Sequence, residues 1–590
     1  MGPPGSVTIV GGGLSGLASA FHLSRRFPAS SGTRITLIEK SNRLGGWVQS
    51  EKARISDRYG RQADVLLESG PRTLRPASKA ILEIIHLLNL APSLVTVPRT
   101  APAARNRFLH IPGTKGLVTI PTSLASLLVS PLAKLLVPAL FADFRRRNGR
   151  VLKSSQPNDE SVDAFLTRHF GTDFAQTFGS ALVHGIYATD SRLLSVRATF
   201  SAMCRLEENG KGSVVRGALN EMVSSWRIHR KGHENATASP PVYDLGEVSS
   251  LMKGISVYSF RDGMETLTGA MASYLRQREN VTIVQGDGVA TLARTQTGDR
   301  FQVATESGKE IQSSHLVVAV PLPVLHGLLS RPLPIISSSV PTPSPPPIAQ
   351  GSVPLRRPPF PHPALSLRTG IPGRYQTILS SENSTQEKVT RLPPNNHPFS
   401  PLPVLPHLLA NPSSSVTVVN LVFPPSDSPL HPDGFGYLIP RPAEGYPSPP
   451  GSTLGMLGTV FDSSALGGQD VSICADHRSP KFTKVTVMLG GPYGPPSPDP
   501  HSPDFLPTLL ATLQRHLGHD EPLPEPCLVR IRQHHDCIPT PTVGHIERMA
   551  ELRAAVKEKW GENAAIIGAS VDGVSVGDCI ESGRRAALGL

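Results

Sequence analysis

The stretch SVTIVGGGLSGLASA, residues 6–20, decides the fold. Ser6 to Val10 form an apolar run that predicts a short buried strand, and the apolar start of a helix follows the glycines. Such a strand-to-helix turn presents the positive end of the helix to a phosphate group. Gly11 permits the tight turn, Gly13 lets the backbone approach a pyrophosphate, and Gly16 allows the helix to pack closely on the strand.

A second predicted strand, Arg34 to Ile38, ends in Glu39. An acid at this place can accept hydrogen bonds from the two hydroxyls of a ribose. The competing interpretation is a glycine-rich turn that binds no ligand. Strand, glycines, helix, strand and terminal acid together favour an α/β domain that binds a dinucleotide.

The run KSNRLGGW, residues 40–47, follows the acid directly. It resembles the second FAD fingerprint of the superfamily that contains amine oxidases, phytoene desaturases and protoporphyrinogen oxidases. Gly45 and Gly46 let the chain pass beside a cofactor, and Arg43 can pair with a phosphate. The resemblance implies FAD, with contacts from the following residues: Gly11, Gly12, Gly13, Leu14, Ser15, Gly16, Glu39, Arg43, Gly46, Trp47, Gly70, Pro71, Arg72, Thr73, Val289, Val574, Ser575 and Val576.

The C-terminal region supplies another part of the expected cofactor site. A short apolar strand, Ala564 to Ile567, leads through glycines into a helix start, whose N–H groups can face the flavin ring and stabilise negative charge on it. Covalent amine oxidases carry a cysteine in this block. Cys579 lies nearby, but the run DCIESG around it resembles the protoporphyrinogen oxidase family, so we expect non-covalent FAD.

Further runs resemble the protoporphyrinogen oxidase family, particularly its mitochondrial type, and occur in family order. They are ESGPRTLRP (68–76), NRFL (106–109), GIYA (185–188), GFGYL (434–438), LGTV (457–460), VMLGG (487–491), CIP (537–539) and DCIESG (578–583). The resemblance implies oxidation of protoporphyrinogen IX to protoporphyrin IX, the penultimate step of haem synthesis. It removes six electrons and uses molecular oxygen, which becomes hydrogen peroxide. Another FAD-dependent desaturase or amine oxidase, and a silent tetrapyrrole-binding flavoprotein, remain alternatives.

The resemblance also implies a substrate site with apolar ring contacts and one cation for a propionate. Arg107 matches the cation, because a guanidinium pairs with a carboxylate in a two-pronged geometry. The other expected contacts are Gly185, Phe435, Leu438, Val460 and Met488. In the run KVTVMLGG, strand alternation places Met488 opposite the core-like Val485, Val487 and Leu489, which favours a ligand contact. No catalytic acid or base is assigned.

Composition limits the other function classes. The net charge is +12 and the sequence pI is near 9.6, which suits an acidic partner such as anionic lipid or a carboxylate-rich substrate. Without zinc-finger spacing or basic runs interleaved with aromatics, nucleic acid is not expected. His534, His535, Asp536 and Cys537 are adjacent on one strand and point to alternate faces, so no metal site is expected.

The run from Leu117 to Phe141 is apolar but interrupted by prolines, and arginines at 145–147 follow it. It fits either an element lying in a bilayer surface or a buried helical hairpin, and the trailing arginines favour the membrane. We expect no cleavable targeting peptide, because the first strand begins so early. The resemblance implies peripheral attachment to the mitochondrial inner membrane, and a homodimer is left open.

We predict an α/β protein in which a Rossmann-like FAD-binding domain joins a mixed β-sheet substrate domain and a helical membrane-binding domain. The predicted boundaries are 1–98, 258–330 and 528–590 for FAD binding, 99–235 for the helical domain, 331–412 for a Pro/Ser-rich insertion and 413–527 for the substrate domain. The insertion contains too few strand or helix formers to offset the entropy of ordering, so it is expected to be disordered.

Overall fold

A five-stranded parallel sheet holds the glycine-rich turn. Its strands lie in the order Ala564–Ile566, His315–Val318, Ser6–Val10, Arg34–Glu39 and Val281–Gln285. In the central strand, Ile9 is paired with Val317 on one side and Leu37 on the other. All three side chains are fully buried, as apolar runs in a parallel sheet covered on both faces should be. The predicted α/β class is confirmed.

The computed structural model describes residues 4–146, 159–230, 243–331, 399–447, 454–472 and 481–590. The helices connected with the parallel sheet are Leu14–Arg26, Lys79–Leu87, Glu265–Arg276, Leu322–Leu329, His545–Lys559 and Val576–Gly589. The first and last of them approach so closely that a Cβ added at Gly583 would lie 2.4 Å from the carbonyl oxygen of Ser15. The two ends of the chain thus pack together beside the turn.

The second large sheet of the fold has seven strands. Its order is Leu528–Pro539, Ser413–Phe423, Thr483–Gly490, Met456–Val460, Gly436–Leu438, Phe108–Leu109 and Val118–Thr119. Val487 and its neighbours at alternate positions are buried on one face, against the helix Phe505–Leu517. The predicted alternation is therefore correct, and Met488 lies on the opposite face.

Three smaller sheets connect these layers. Their strands are Glu310–Ser313, Phe301–Thr305, Val289–Thr295 and Phe399–Pro401 in one sheet, Val471–Ser472, Gln62–Glu68 and Ser50–Ser56 in another, and Leu94–Pro98 with Ile255–Phe260 in the third.

The described residues between 124 and 146 and between 159 and 230 are mainly helical. The helices are Leu124–Val129, Ala133–Arg145, Val162–Phe170, Thr172–Phe174, Ser180–Tyr187, Val196–Thr199, Ser201–Asn209 and Val214–Arg230, with a π-helical turn at Ala175–Gly179. Buried charges join them: His169 Nδ1 lies 2.5 Å from Asp143 and its Nε2 lies 3.2 Å from Glu207. Burial lowers the pKa of His169, but the two carboxylates outweigh it and the net shift is upward. Across the described ranges, no helix is both long enough and apolar enough to span a bilayer.

The predicted disordered insertion needs a correction at its C-terminal end. Residues 332–398 lie outside the described residues, but residues 399–412 are part of the fold. Phe399–Pro401 pairs with Val289–Thr295, and three leucines insert into the core beside Trp560, namely Leu402, Leu405 and Leu408. The sequence did not predict that residues 399–412 are ordered, because their leucines are spaced among prolines and follow neither the helix nor the strand period.

Deletion of residues 335–395 should leave flavin content and thermal stability close to those of the full chain, because the composition of this stretch cannot support a packed core. A deletion extended to residue 409 removes the three buried leucines and should lower the midpoint of thermal unfolding strongly. Differential scanning calorimetry of both variants checks this. Equal unfolding midpoints would contradict the boundary at residue 398.

Several buried histidines make the fold sensitive to acid. Burial is the main reason that the pKa falls from 6.5 to about 4 for His22, His184 and His545, and to about 3 for His516. His516 also stacks on His110 at 3.9 Å between ring centroids and lies 3.0 Å from the Tyr437 hydroxyl. The unfolded chain therefore takes up these protons first, so the stabilisation is complete above about pH 6.5 and is lost as the pH falls.

Replacement of His516 by Gln should weaken the decrease in unfolding temperature between pH 7.5 and pH 5, because one of these protonation steps is removed. Thermal unfolding followed by circular dichroism at several pH values measures the slope. His501→Gln is the matched control, since that histidine is exposed. A slope identical to that of the original chain would show that His516 does not contribute.

Candidate flavin and substrate site

The glycine-rich turn has the shape of a phosphate cradle. Gly11 adopts a φ of +104°, and a Cβ added at Gly16 would lie 1.9 Å from the Gly11 carbonyl oxygen. The backbone conformation at Gly11 and the close packing at Gly16 therefore exclude a side chain at both positions, whether or not a ligand binds. At Gly13, by contrast, an added Cβ would meet nothing closer than the Cα of Gly46 at 4.0 Å. Gly46 approaches so closely that a Cβ added there would lie 3.2 Å from the Gly13 Cα. The two bare backbones thus lie side by side, and together they leave a surface that a pyrophosphate can approach.

Glu39 lies at the end of the second strand, as predicted. Its Oε2 accepts a hydrogen bond from the Gly12 N–H at 2.7 Å, and its Oε1 accepts one from the Ser41 hydroxyl at 2.6 Å. The carboxylate is therefore held at the mouth of the turn. A carboxylate offers further lone pairs, so the contact with ribose hydroxyls stays a prediction.

Arg43 makes contacts within the loop itself. Its Nη1 donates to the Gly46 carbonyl at 2.6 Å and its Nη2 donates to the Val48 carbonyl, while Glu265 lies 3.9 Å away. The guanidinium thus braces the loop that carries Gly46, and its pairing with a phosphate stays a prediction. The loop is also fixed at its start, since the Gly45 N–H donates to the Gly12 carbonyl at 2.9 Å.

The segment Gly70 to Thr73 lies beside this loop, because a Cβ added at Gly70 would be 2.3 Å from the Trp47 carbonyl oxygen. Trp47 itself makes an edge contact with His534 at 5.3 Å between ring centroids. The expected cofactor residues around positions 47 and 70 are therefore brought together. No group of three potential His, Cys, Asp or Glu ligands occurs in the described ranges.

Arg72 is held by the fold as well, and its contact with the cofactor stays a prediction. It is buried and donates from Nη1 to Asp462 at 3.2 Å, so its charge is used in an ion pair. Asp462 in turn accepts a hydrogen bond from the Thr486 hydroxyl at 2.5 Å. Arg72 thus links the flavin side of the site to the seven-stranded sheet. Asp462 was missed because its only signal, a lone acid after an apolar run, is common in surface turns.

Glu68 is another buried group that the sequence did not single out. Burial raises its pKa to about 7, although hydrogen bonds from the Met264 N–H and the Ser50 hydroxyl, each at 2.8 Å, act in the opposite direction. Both carboxylate oxygens are engaged by the fold. We therefore regard it as a structural group and still assign no catalytic acid or base.

The C-terminal block ends in a capped helix. The Ser575 hydroxyl accepts a hydrogen bond from the Asp578 N–H at 3.0 Å, and the Asp578 carboxylate accepts one from the Ser575 N–H at 3.2 Å. Cys579 is buried, with its Sγ 3.8 Å from the Gly573 carbonyl oxygen. Burial raises the pKa of this thiol to about 12, so a nucleophilic thiolate is disfavoured. This supports non-covalent flavin.

The turn after the strand Val281–Gln285, which is expected to reach the adenine, also lies close to Glu39. The Gly286 N–H donates to the Ser41 carbonyl at 3.1 Å, and the Asp287 N–H donates to the Glu39 carbonyl at 3.4 Å. Val289 follows and is buried. Its backbone contact with adenine stays a prediction.

Four of the predicted substrate contacts come together on the face of the seven-stranded sheet opposite the helix Phe505–Leu517. Leu438 pairs with Gly458, which pairs with Met488 on the next strand. Val460 follows Gly458 by two positions and so shares its face. A Cβ added at Gly185 would lie 2.6 Å from Leu438 Cδ2, so this helix position has room only for glycine. The result is an apolar row.

The two remaining predicted contacts lie together as well. The Arg107 guanidinium carbon is 5.4 Å from the centre of the Phe435 ring. Arg107 is partly buried, and no ion pair or side-chain hydrogen bond is found for it among the described residues. Burial and the nearby charge of Arg75 lower its pKa. A cation without an acidic partner beside an aromatic ring suits an anionic group on an apolar ligand.

This combination of a glycine cradle, a terminal acid and a second glycine pair defines a dinucleotide-binding flavoprotein. The family of flavin containing amine oxidoreductases matches residues 14–353, which is more than half of the chain. The chain belongs to this family, and its cofactor is FAD.

Curated relatives cover nearly the whole chain. The protoporphyrinogen oxidases of Schizosaccharomyces pombe and Homo sapiens are 27% and 28% identical to it, over 99% of this chain and 98% of each relative. The coproporphyrinogen III oxidase of Bacillus subtilis is 22% identical, over 98% of this chain and 96% of that protein.

A solved structure shares the fold. The crystal structure from Exiguobacterium sp. 255-15, provisionally assigned as a protoporphyrinogen oxidase, superposes with a TM-score of 0.63 at 19% identity, over 99% of this chain and 98% of that one. At this identity the likeness establishes the fold alone.

Replacement of Gly13 by Val should give colourless protein, because the new side chain would cover the bare backbone surface that the pyrophosphate has to approach. The fold should persist, since no protein atom blocks the added Cβ. Flavin content is read from the absorbance near 450 nm and folding from circular dichroism. Gly269→Val is the control, because its added Cβ also meets no atom. Full flavin content in the Gly13 variant would refute the cradle assignment.

Proposed function

We propose that the chain oxidises protoporphyrinogen IX to protoporphyrin IX. The main supporting observation is that Arg107, for which the described residues provide no ion-pair partner, lies beside Phe435 near the apolar row of Leu438, Val460 and Met488. An apolar macrocycle with carboxylate side chains complements this arrangement in shape and in charge. The full-length likeness to protoporphyrinogen oxidases supports the same substrate.

The proposed reaction removes six electrons and six protons from the substrate. Three molecules of oxygen accept them and become three molecules of hydrogen peroxide. When bound, FAD supplies the two-electron acceptor. The chain's own residues hold the macrocycle: the apolar row excludes water from its rings, and Arg107 fixes one carboxylate and therefore its orientation. Capped helix N–H groups at Val576 favour negative charge near the C-terminal block.

The other substrates are less well suited to this site. A protonated amine would meet the positive charge of Arg107 with no carboxylate identified beside it, which is unfavourable. A carotenoid precursor has no group for the arginine. Coproporphyrinogen III shares the macrocycle and carries more carboxylates than protoporphyrinogen, so the Bacillus subtilis relative makes it the second candidate.

A substrate panel tests the proposal. The purified holoprotein is mixed in air with protoporphyrinogen IX, coproporphyrinogen III, an amine and a carotenoid precursor, and porphyrin fluorescence and peroxide are followed. We expect protoporphyrin and about three peroxides per molecule, with the highest kcat/KM for protoporphyrinogen. A higher kcat/KM for coproporphyrinogen III would show that it, and not protoporphyrinogen IX, is the substrate. Bound FAD without any turnover would favour the silent flavoprotein.

Arg107→Ala should raise KM for protoporphyrinogen about tenfold to a hundredfold, because a charge-assisted hydrogen bond is lost. Flavin spectrum and thermal stability should stay near normal, since the guanidinium has no ion-pair partner in the part of the chain that the structure describes. Arg107→Lys should rescue only partly, because a point charge cannot form the two-pronged contact. Steady-state kinetics with the free acid and its dimethyl ester measures the effect. Undiminished preference for the acid in the alanine variant would contradict the role of Arg107.

We also propose peripheral attachment to the mitochondrial inner membrane, which the family resemblance and the positive net charge support. On the helix Ala133–Arg145, an apolar stripe faces solvent at helical spacing: Val137, Leu140, Phe141 and Phe144. Phe141 is 52% exposed. Arg145 lies over its ring at 4.3 Å, so a cation accompanies the stripe, as expected for an element at anionic headgroups. Subcellular fractionation tests the compartment.

Phe141→Glu combined with Phe144→Glu should reduce binding to vesicles that contain cardiolipin by about tenfold or more, because buried apolar area is replaced by negative charge. Vesicle co-sedimentation measures the binding. Leu588→Glu is the control, since Leu588 is an exposed apolar residue outside this helix. Unchanged sedimentation of the double variant would refute the proposed membrane face.

A further inference from the structure

A basic cavity of about 420 Å³ opens beside the site. Two arginines line it together with neutral residues, and no acid takes part: Arg75, Pro76, Ala77, Arg99, Ile255 and Ser256. Neither arginine forms an ion pair or a side-chain hydrogen bond within the described ranges of the chain. The cavity therefore presents positive charge that the fold does not use.

Backbone pairing fixes both arginines on one ribbon. Arg75 follows Leu74, whose N–H donates to the Tyr258 carbonyl at 2.7 Å. Arg99 follows the strand Leu94–Pro98, and its own N–H donates to the Gly254 carbonyl at 2.8 Å. The antiparallel pairing of Leu94–Pro98 with Ile255–Phe260 thus brings together two cations that are distant in sequence. The positions are defined by strands, so the cavity is pre-organised at its base.

The ribbon adjoins the proposed substrate site. Val97 and Val257 are buried in one small apolar cluster, and Phe435 packs against that cluster. Phe435 is the ring under the Arg107 guanidinium. Arg75 is also close enough for its charge to lower the pKa of Arg107. The cavity and Arg107 are therefore neighbouring parts of one basic surface.

Arg75 and Arg99 are exposed and Arg107 is partly buried, and no acid partner is found for any of the three among the described residues. An anionic ligand bound there would be attracted by all three charges. A single carboxylate pairs with one guanidinium in the two-pronged geometry, so it satisfies Arg107 alone. Protoporphyrinogen IX carries two propionates, on neighbouring pyrrole rings at one edge of the macrocycle. Three neighbouring guanidinium groups therefore suit a ligand with two carboxylates better than one with a single carboxylate.

We propose that the cavity lined by Arg75 and Arg99 is a second carboxylate subsite, which takes one propionate of the substrate while Arg107 takes the other. This inference rests on the proposed function. Two separate anchors would prevent the macrocycle from turning about a single contact, and so would determine which of its edges approaches the flavin. Arg75 and Arg99 are then specificity-determining residues.

The test combines the double variant Arg75→Ala/Arg99→Ala with the two regioisomeric monoesters of the substrate. The double variant should raise KM for the diacid about tenfold, with kcat little changed, because substrate binding loses a charged contact. In the double variant, esterifying one propionate should carry no further penalty. In Arg107→Ala, esterifying the other propionate should carry none. This reciprocal pattern is the expected result, since each variant lacks one anchor.

Arg105→Ala/Arg300→Ala is the matched control. Like the tested double variant it removes two positive charges, and both arginines are exposed but do not line the cavity. It should leave KM and both monoester comparisons unchanged. If the control raises KM as much as the double variant does, general electrostatic attraction explains the effect and the subsite is refuted. The same sensitive monoester in both arginine variants would also refute it.

A binding measurement separates this inference from the proposed function. The diacid and monoesters of mesoporphyrin, a stable porphyrin, are titrated into holoprotein, and quenching of porphyrin fluorescence gives Kd without turnover. The reciprocal pattern in Kd supports the subsite even if protoporphyrinogen is not oxidised. If the double variant loses only affinity for phosphatidylglycerol vesicles, while all porphyrin Kd values stay unchanged, the cavity binds lipid phosphate and the proposal is wrong.

Discussion

The buried ion pair between Arg72 and Asp462 is the interaction on which the site depends. It joins a segment beside the flavin cradle to the strand end of the seven-stranded sheet, and Thr486 extends it into that sheet. Removing one partner of such a pair leaves a buried charge uncompensated, which typically costs about 3–5 kcal/mol. The distance between cofactor and substrate surfaces is therefore set by a charged contact and not by apolar packing alone.

The two layers contribute different chemistry. The parallel sheet offers backbone N–H groups and bare glycines, which suit phosphates and a planar cofactor. The seven-stranded sheet offers an apolar row on one face, while its other face is filled by the helix Phe505–Leu517. Arg107 lies beside Phe435 near this row. In the proposed function, substrate selection lies with side chains on the second sheet and its neighbours, which is consistent with one fold serving enzymes with different substrates.

The sequence predicted the glycine-rich turn and the strand around Met488 because both depend on residues that are close together in the chain. The strand and glycines of residues 6–16 and the alternation around Met488 each depend on the chain's own period. The roles of Arg43 and Arg72 were not predictable, because a guanidinium pairs with whichever acceptor tertiary folding brings near. The prediction of disorder for residues 399–412 was wrong for a related reason, because their leucines are buried only in a core that distant segments build.

Anaerobic titration of the bound flavin with protoporphyrinogen IX tests the central claim most directly. Full conversion releases six electrons, and each flavin accepts two, so one substrate molecule should bleach about three equivalents of flavin. One molecule of protoporphyrin should form for every three flavins that are bleached. A stoichiometry of one flavin per substrate would indicate a single desaturation, and absence of bleaching would show that this flavin does not oxidise porphyrinogen.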